Sequence, residues 1–303
     1  MTGIVAADRE RMLKMKEKPN VAAVMEKIVT VFVLGYGLHY LGYFLRARYF
    51  NFIGAVVPDE GVSHILMYLG HTVFLIMMLL YAWAVKKDRK YIFSFCSGKL
   101  SRNLLFALYG AIFGFILMGI CIFAASAHGD IVIGRSGGLS IPLILFALFA
   151  VFIQASVEEI ESRAFVFGKM KNEGVPLGWA AVVSAFFFSY LHAANPGFGL
   201  LPLLSIFITG ILYVLSYHYF GTIWFTCTAH MMWNFTQDFI FGLPDSGKPA
   251  ALSVLSTTVT GSSFFYDESF GIEGSWMAIL VNLLACVLVF LIGRKVSKRK
   301  QQE

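Results

Sequence analysis

Residues 141–174 read IPLILFALFAVFIQASVEEIESRAFVFGKMKNEG. The first 18 of them, 141–158, are apolar almost throughout, about the shortest run that crosses a bilayer as a helix. They end on Glu158, Glu159 and, four residues later, Arg163. A carboxylate at membrane depth costs ~2.5–3.5 kcal/mol on insertion scales, so a chain that is otherwise strongly apolar should carry such a pair for a purpose. The helix can also continue past this charged station toward residue 171.

Similar apolar runs recur on both sides. The sequence is 58% hydrophobic and 14% charged, with a mean hydropathy of +0.72, well above the norm for soluble domains. The candidate spans are 28–45, 65–85, 104–125, 141–158, 175–192, 198–218, 221–241 and 276–293, which predicts an all-α, polytopic bundle of about eight transmembrane helices. Sheets with open edges cannot satisfy their backbone in lipid, and no ten-residue alternating strands are present. One membrane domain is expected over 28–293 with a chemistry-bearing core at 141–241. It is flanked by a cytosolic or interfacial segment (1–27) and a basic cytosolic tail (294–303). The first 20 residues lack the short apolar core and small-residue site of a cleaved signal.

Charge gives orientation. With both termini inside, twenty Lys and Arg fall on inner segments, against Arg46, Arg48, Arg135 and Lys248 outside. That bias is a cytoplasmic-face signature. The net charge of +6 therefore points to a membrane partner, the lipid bilayer, and to no nucleic acid, which would need a basic patch on a folded soluble domain. The expected location is the plasma membrane of a bacterium, and the sequence assigns no oligomeric state. Cys96, Cys121, Cys227 and Cys286 form no CxxC pair and read as reduced packing residues. Segments 51–64, 127–140 and 242–275 read as outer loops, the last either a plain connector or a lid.

Two more polar stations follow the acidic pair: Phe188 with His192, and His230 with Asn234, each pair four residues apart and so on one helix face. Glu159 and Arg163 share a face and can pair. Glu158 points about 100° away and is free to face the bundle interior; Glu161 reads as solvated. A helical hairpin turning at 172–174 puts Glu158 about 22 Å and His192 about 27 Å above the turn, and a second turn at Gly221 puts His230 and Asn234 about 14 and 20 Å up. His39, His64, His71, His128 and His218 lack such partners and read as loop, interface or packing residues.

The ordered set Glu158-Glu159-x-x-x-Arg163, Phe188-x-x-x-His192 and His230-x-x-x-Asn234 is similar to the three motifs of the CPBP family. That family comprises type II CAAX prenyl endopeptidases and the bacterial Abi, bacteriocin-processing and bacteriocin-immunity proteins. The resemblance covers 141–241 and has no departure at the motif positions. It implies an intramembrane endopeptidase acting on a membrane-tethered peptide or protein. Glu158 and His192 would activate water, His230 and Asn234 would hold the oxyanion, and Glu159, Arg163 and Phe188 would support them. No serine or cysteine sits in a nucleophile setting. A metal-free glutamate mechanism without cofactor is the preferred reading; Zn²⁺ on Glu158, His192 and His230 is the alternative, although no HExxH signature is present. Two other function classes remain: a non-catalytic bacteriocin-immunity or regulatory scaffold, and an ion-coupled transporter using the carboxylates as a relay.

Overall fold

The structure, a computed structural model, describes residues 20–136 and 139–299. Residues 1–19 of the expected cytosolic or interfacial segment (1–27), Gly137 and Gly138 of an expected outer loop, and residues 300–303 of the basic tail lie outside the described residues. Among the described residues eight longer helical rods form the bundle: α1 (Val21–Val56), α2 (Glu60–Ala84), α3 (Leu100–His128), α4 (Ile141–Asn172), α5 (Leu177–Tyr190), α6 (Leu200–Phe220), α7 (Trp224–Phe235) and α8 (Trp276–Arg299). Six of them are long and apolar enough to cross a membrane; α5 and α7, which lead to or carry the two motif histidines, are shorter. The all-α, membrane-bundle class holds. α1 is longer than the 28–45 span: its 36 residues rise about 54 Å, so its ends project beyond the hydrocarbon.

Helix ends follow local chemistry. The Asn20 and Asp59 side chains accept hydrogen bonds from Ala22 N and Val62 N and cap α1 and α2. α2 is broken by a turn at Gly70-His71. α4 turns into α5 at Gly174 (φ 85°) and α6 into α7 at Gly221 (φ 65°), the two places the sequence marks for hairpins. There a residue without Cβ takes up the left-handed backbone.

α7 is the central rod. All its residues except Trp224 and Met232 are buried, and it packs against α3 and α4, while α6 packs against α5 and α8. The approach of α3 is a backbone contact: a Cβ added at Gly110 or Gly114 would stand 2.2 Å from Phe225 O or 2.0 Å from Ala229 O. This is the small-xxx-small packing that lets membrane helices meet closely. On the other side Ala147, Ala150 and Ala155 of α4 receive Met231 and Phe235 of α7 and Ile65 and Tyr68 of α2. Large apolar side chains of α1, α3 and α8, such as Phe44, Phe123 and Leu284, face outward, as helices bounded by lipid require.

Two features depart from an unbroken α-helical bundle. Ile160–Phe167 of α4 and Thr236–Ile240 after α7 are π-helical. The two loops read from the sequence as outer are also joined: β1 (Ile131–Arg135) pairs antiparallel with β2 (Leu255–Val259), Ile133 opposite Thr257. The 242–275 segment is thus tied to the end of α3, with a 3₁₀ turn at Ile272–Gly274 leading into α8.

Candidate active site

The acidic pair sits on the last α-helical turn of α4, immediately before the π-segment. Glu159 faces α7. Its Oε1 lies 3.2 Å from Arg163 Nη1 and 3.1 Å from His230 Nδ1. Glu159 and Arg163 are both 0% exposed. The Arg163 guanidinium lies over the Phe188 ring at 4.0 Å and near Tyr213 at 5.2 Å, so aromatic faces share a charge that water does not reach. The π-turn also frees a carbonyl: Ser162 O accepts from Ser184 Oγ at 2.7 Å, which fastens α5 to α4.

Glu158 faces the interior. Gln154, one turn earlier, donates from Nε2 to Glu158 Oε1 at 2.7 Å and accepts at Oε1 from Asn234 Nδ2 at 3.1 Å. The other carboxylate oxygen, Oε2, is 3.8 Å from His230 Nε2. His230 therefore stands between the two glutamates, one ring nitrogen toward each. Phe188 meets its ring edge to face at 5.6 Å.

His192 lies just beyond the end of α5, where its Nδ1 is 3.0 Å from Phe188 O. An Nδ1–H donated to that carbonyl leaves Nε2 free, the tautomer logic of an oriented histidine. His192, Glu158, Asn234 and Gln154 line one cavity of about 290 Å³, large enough for a short peptide segment and water. His230 lines a smaller adjoining space with His192, Phe188 and Glu273. His192 and Ser246 border both spaces, so the four side chains stand around two neighbouring cavities.

Several sequence readings need correction. His71 is no packing residue: its Nδ1 lies 2.9 Å from Tyr68 O and its Nε2 3.5 Å from Glu158 Oε1, so a third imidazole faces the carboxylate. Glu161 is not solvated but buried, with Oε2 3.0 Å from His39 Nδ1. His64 also has a partner, 2.7 Å from Asp238 Oδ2. The 242–275 segment is more than a connector, since Asp245, Ser246 and Lys248 line the cavity. Among the described residues no three His, Cys, Asp or Glu side chains are arranged to hold a metal ion. In His192 and His230 Nδ1 is engaged elsewhere, which leaves the two Nε2 atoms, that of His230 3.8 Å from the Glu158 carboxylate.

The loop is anchored from below. Glu273 accepts from Trp233 Nε1 at 2.8 Å, from Ser246 N at 2.9 Å and from Ser246 Oγ at 2.6 Å. Burial and the neighbouring Asp245 charge push its carboxyl up to about 7, against those hydrogen bonds.

Fold and site define a polytopic helical membrane protein with a buried glutamate–histidine centre. Residues 140–236 match the family model described as type II CAAX prenyl endopeptidase Rce1-like. This segment is thereby similar to the CPBP family that its motifs resemble. No curated protein and no solved structure matches the chain.

Proposed function

We propose that the protein is an intramembrane endopeptidase that hydrolyses a peptide bond of a membrane-tethered substrate with water activated by Glu158 and His192. The observation that carries this reading is the Glu158 carboxylate facing a peptide-sized cavity, hydrogen-bonded on one oxygen and flanked by imidazoles.

Water held between Glu158 and His192 Nε2 gives a proton to Glu158 as its oxygen attacks the scissile carbonyl. The resulting oxyanion lies against the second Nδ2 hydrogen of Asn234, the first being committed to Gln154, and against a proton on His230 Nε2. His230 then carries protons on both nitrogens, its charge offset by Glu159 at 3.1 Å and by the developing oxyanion. Collapse of the tetrahedral intermediate breaks the C–N bond, and Glu158 returns the proton to the leaving amine. Glu159, Arg163 and Phe188 position His230 and His192.

The charge bias supports a reading with both termini inside a bacterial plasma membrane and the 242–275 loop, which lines the cavity, on its non-cytoplasmic side. A substrate therefore presents its cleavage site near that surface. The test is terminal-peptide mass spectrometry on membranes of cells producing wild type or Glu158→Gln. The reading expects membrane-associated peptides whose new termini disappear in the variant; identical terminal profiles contradict it. A scaffold or a transporter predicts identical profiles.

A further inference from the structure

The cavity beside Glu158 holds two cations that the proposed reaction does not use. Arg46 comes from α1 and Lys248 from the outer loop, and both line the cavity. Among the described residues neither forms an ion pair with a carboxylate, although every other cavity-lining charge has a partner. Glu158 accepts from Gln154. Asp245 accepts from Gln237 Nε2 at 2.9 Å and from Tyr68 OH at 2.5 Å. Arg46 is held as a preformed fork: its guanidinium lies 4.3 Å over the Phe50 ring and 5.7 Å from that of Phe74, and its Nε is buried without a hydrogen-bond partner. Buried donors of this kind call for an acceptor, and a planar guanidinium suits a carboxylate or phosphate. Phe50, Met67 and Pro249 in the same lining offer apolar surface beside the two charges.

We propose that Arg46 and Lys248 form an anion subsite that binds a carboxylate or phosphate group carried by the substrate, with Glu158 at its inner end. The assignment rests on the endopeptidase reading and narrows its substrate class. The anion comes either from the peptide itself, as a free C-terminus or acidic side chain near the cleaved bond, or from the headgroup of a lipid attached to it or beside it.

The test uses an N-acylated fluorescent hexapeptide ending in a free carboxylate and the same peptide ending in an amide. Binding to the Glu158→Gln protein is read by fluorescence anisotropy in phosphatidylcholine nanodiscs. A charged hydrogen-bonded contact corresponds to about 10–100-fold in affinity, so the carboxylate peptide should bind tighter than the amide by that factor. Arg46→Gln and Lys248→Gln, each added to Glu158→Gln, should bring it down to the amide's level, and Arg46→Lys should keep part of the difference. Lys248 is an exposed loop residue, so its variant controls for misfolding of Arg46→Gln. If the anion is a lipid phosphate, the two peptides bind alike, and phosphatidylglycerol retained by the purified protein, counted by mass spectrometry, falls in both variants. Equal peptide binding together with unchanged phosphatidylglycerol retention in both variants overturns the subsite. A wild type that cleaves neither peptide counts against the endopeptidase alone, because the binding comparison uses the Glu158→Gln protein.

Discussion

Gln154 joins the oxyanion side of the site to the base side, since one amide donates to Glu158 and accepts from Asn234. Gln154→Leu should therefore lower kcat more than it raises KM, as steady-state kinetics on a cleaved peptide would read. Asn234→Ala removes a donor aimed at the oxyanion and should cost ~10²–10³ in kcat. Arg163 works through burial instead: removing it leaves Glu159 as an uncompensated charge, a loss of about 3–5 kcal/mol. Arg163→Met should thus lower the thermal midpoint in detergent sharply, whereas Asn234→Ala leaves it close to wild type. Glu159 pairing with Arg163 was readable from their i, i+4 spacing. Gln154 carried a readable signal too, a lone amide in an apolar run four residues before Glu158. His71 carried none, because its approach to Glu158 depends on how α2 leans on α4, and no local pattern encodes that.

The site-bearing helices α4 and α7 pass into π-geometry directly after Glu159, with Arg163 inside the π-segment, and two residues after Asn234. Such segments often mark functional positions, and here they redirect the backbone so that Ser162 O and the Asp238 region find partners outside their own helix. The sequence gives no warning of this, since a π-turn breaks no hydrophobic pattern. The Gly110–Gly114 contact behind His230 was legible as small-xxx-small spacing. Gly114→Leu should push α3 off Ala229, destabilise by ~1–3 kcal/mol and reduce activity by displacing the helix that holds His230. The outer loop has its own switch in Glu273. Its carboxyl is raised from an ordinary 4.5 to about 7, so the folded loop holds the proton that the unfolded loop releases first. The stability that this proton gives the folded loop is fully present below about pH 4.5 and is lost as pH rises through about 7. Protection factors of 244–275, with the intrinsic pH dependence of amide exchange divided out, should fall over that window, and Glu273→Gln should flatten the fall.

At the scale of the whole molecule, hydropathy and charge made the membrane bundle legible, and the hairpin turns set the heights at which the motifs meet. Span count was harder to read, because α5 and α7 are short rods, α7 buried by its neighbours and α5 with one face of large apolar side chains exposed. The ribbon of β1 and β2 was hidden, since five-residue strands within Gly- and Ser-rich loops look like connectors. Orientation has a direct check: Thr258→Cys in a Cys96→Ser background should label with a membrane-impermeant maleimide on intact cells, while native Cys96, exposed near the basic inner segment, should label only after permeabilisation. Equal labelling of both on intact cells contradicts the assigned topology. The central claim, that Glu158 and His192 activate water in a shared cavity, is tested most directly with purified, reconstituted protein and one defined acylated peptide. Hydrolysis by wild type should fall by at least ~10² in Glu158→Gln and in His192→Ala; full rates in both variants would contradict the account.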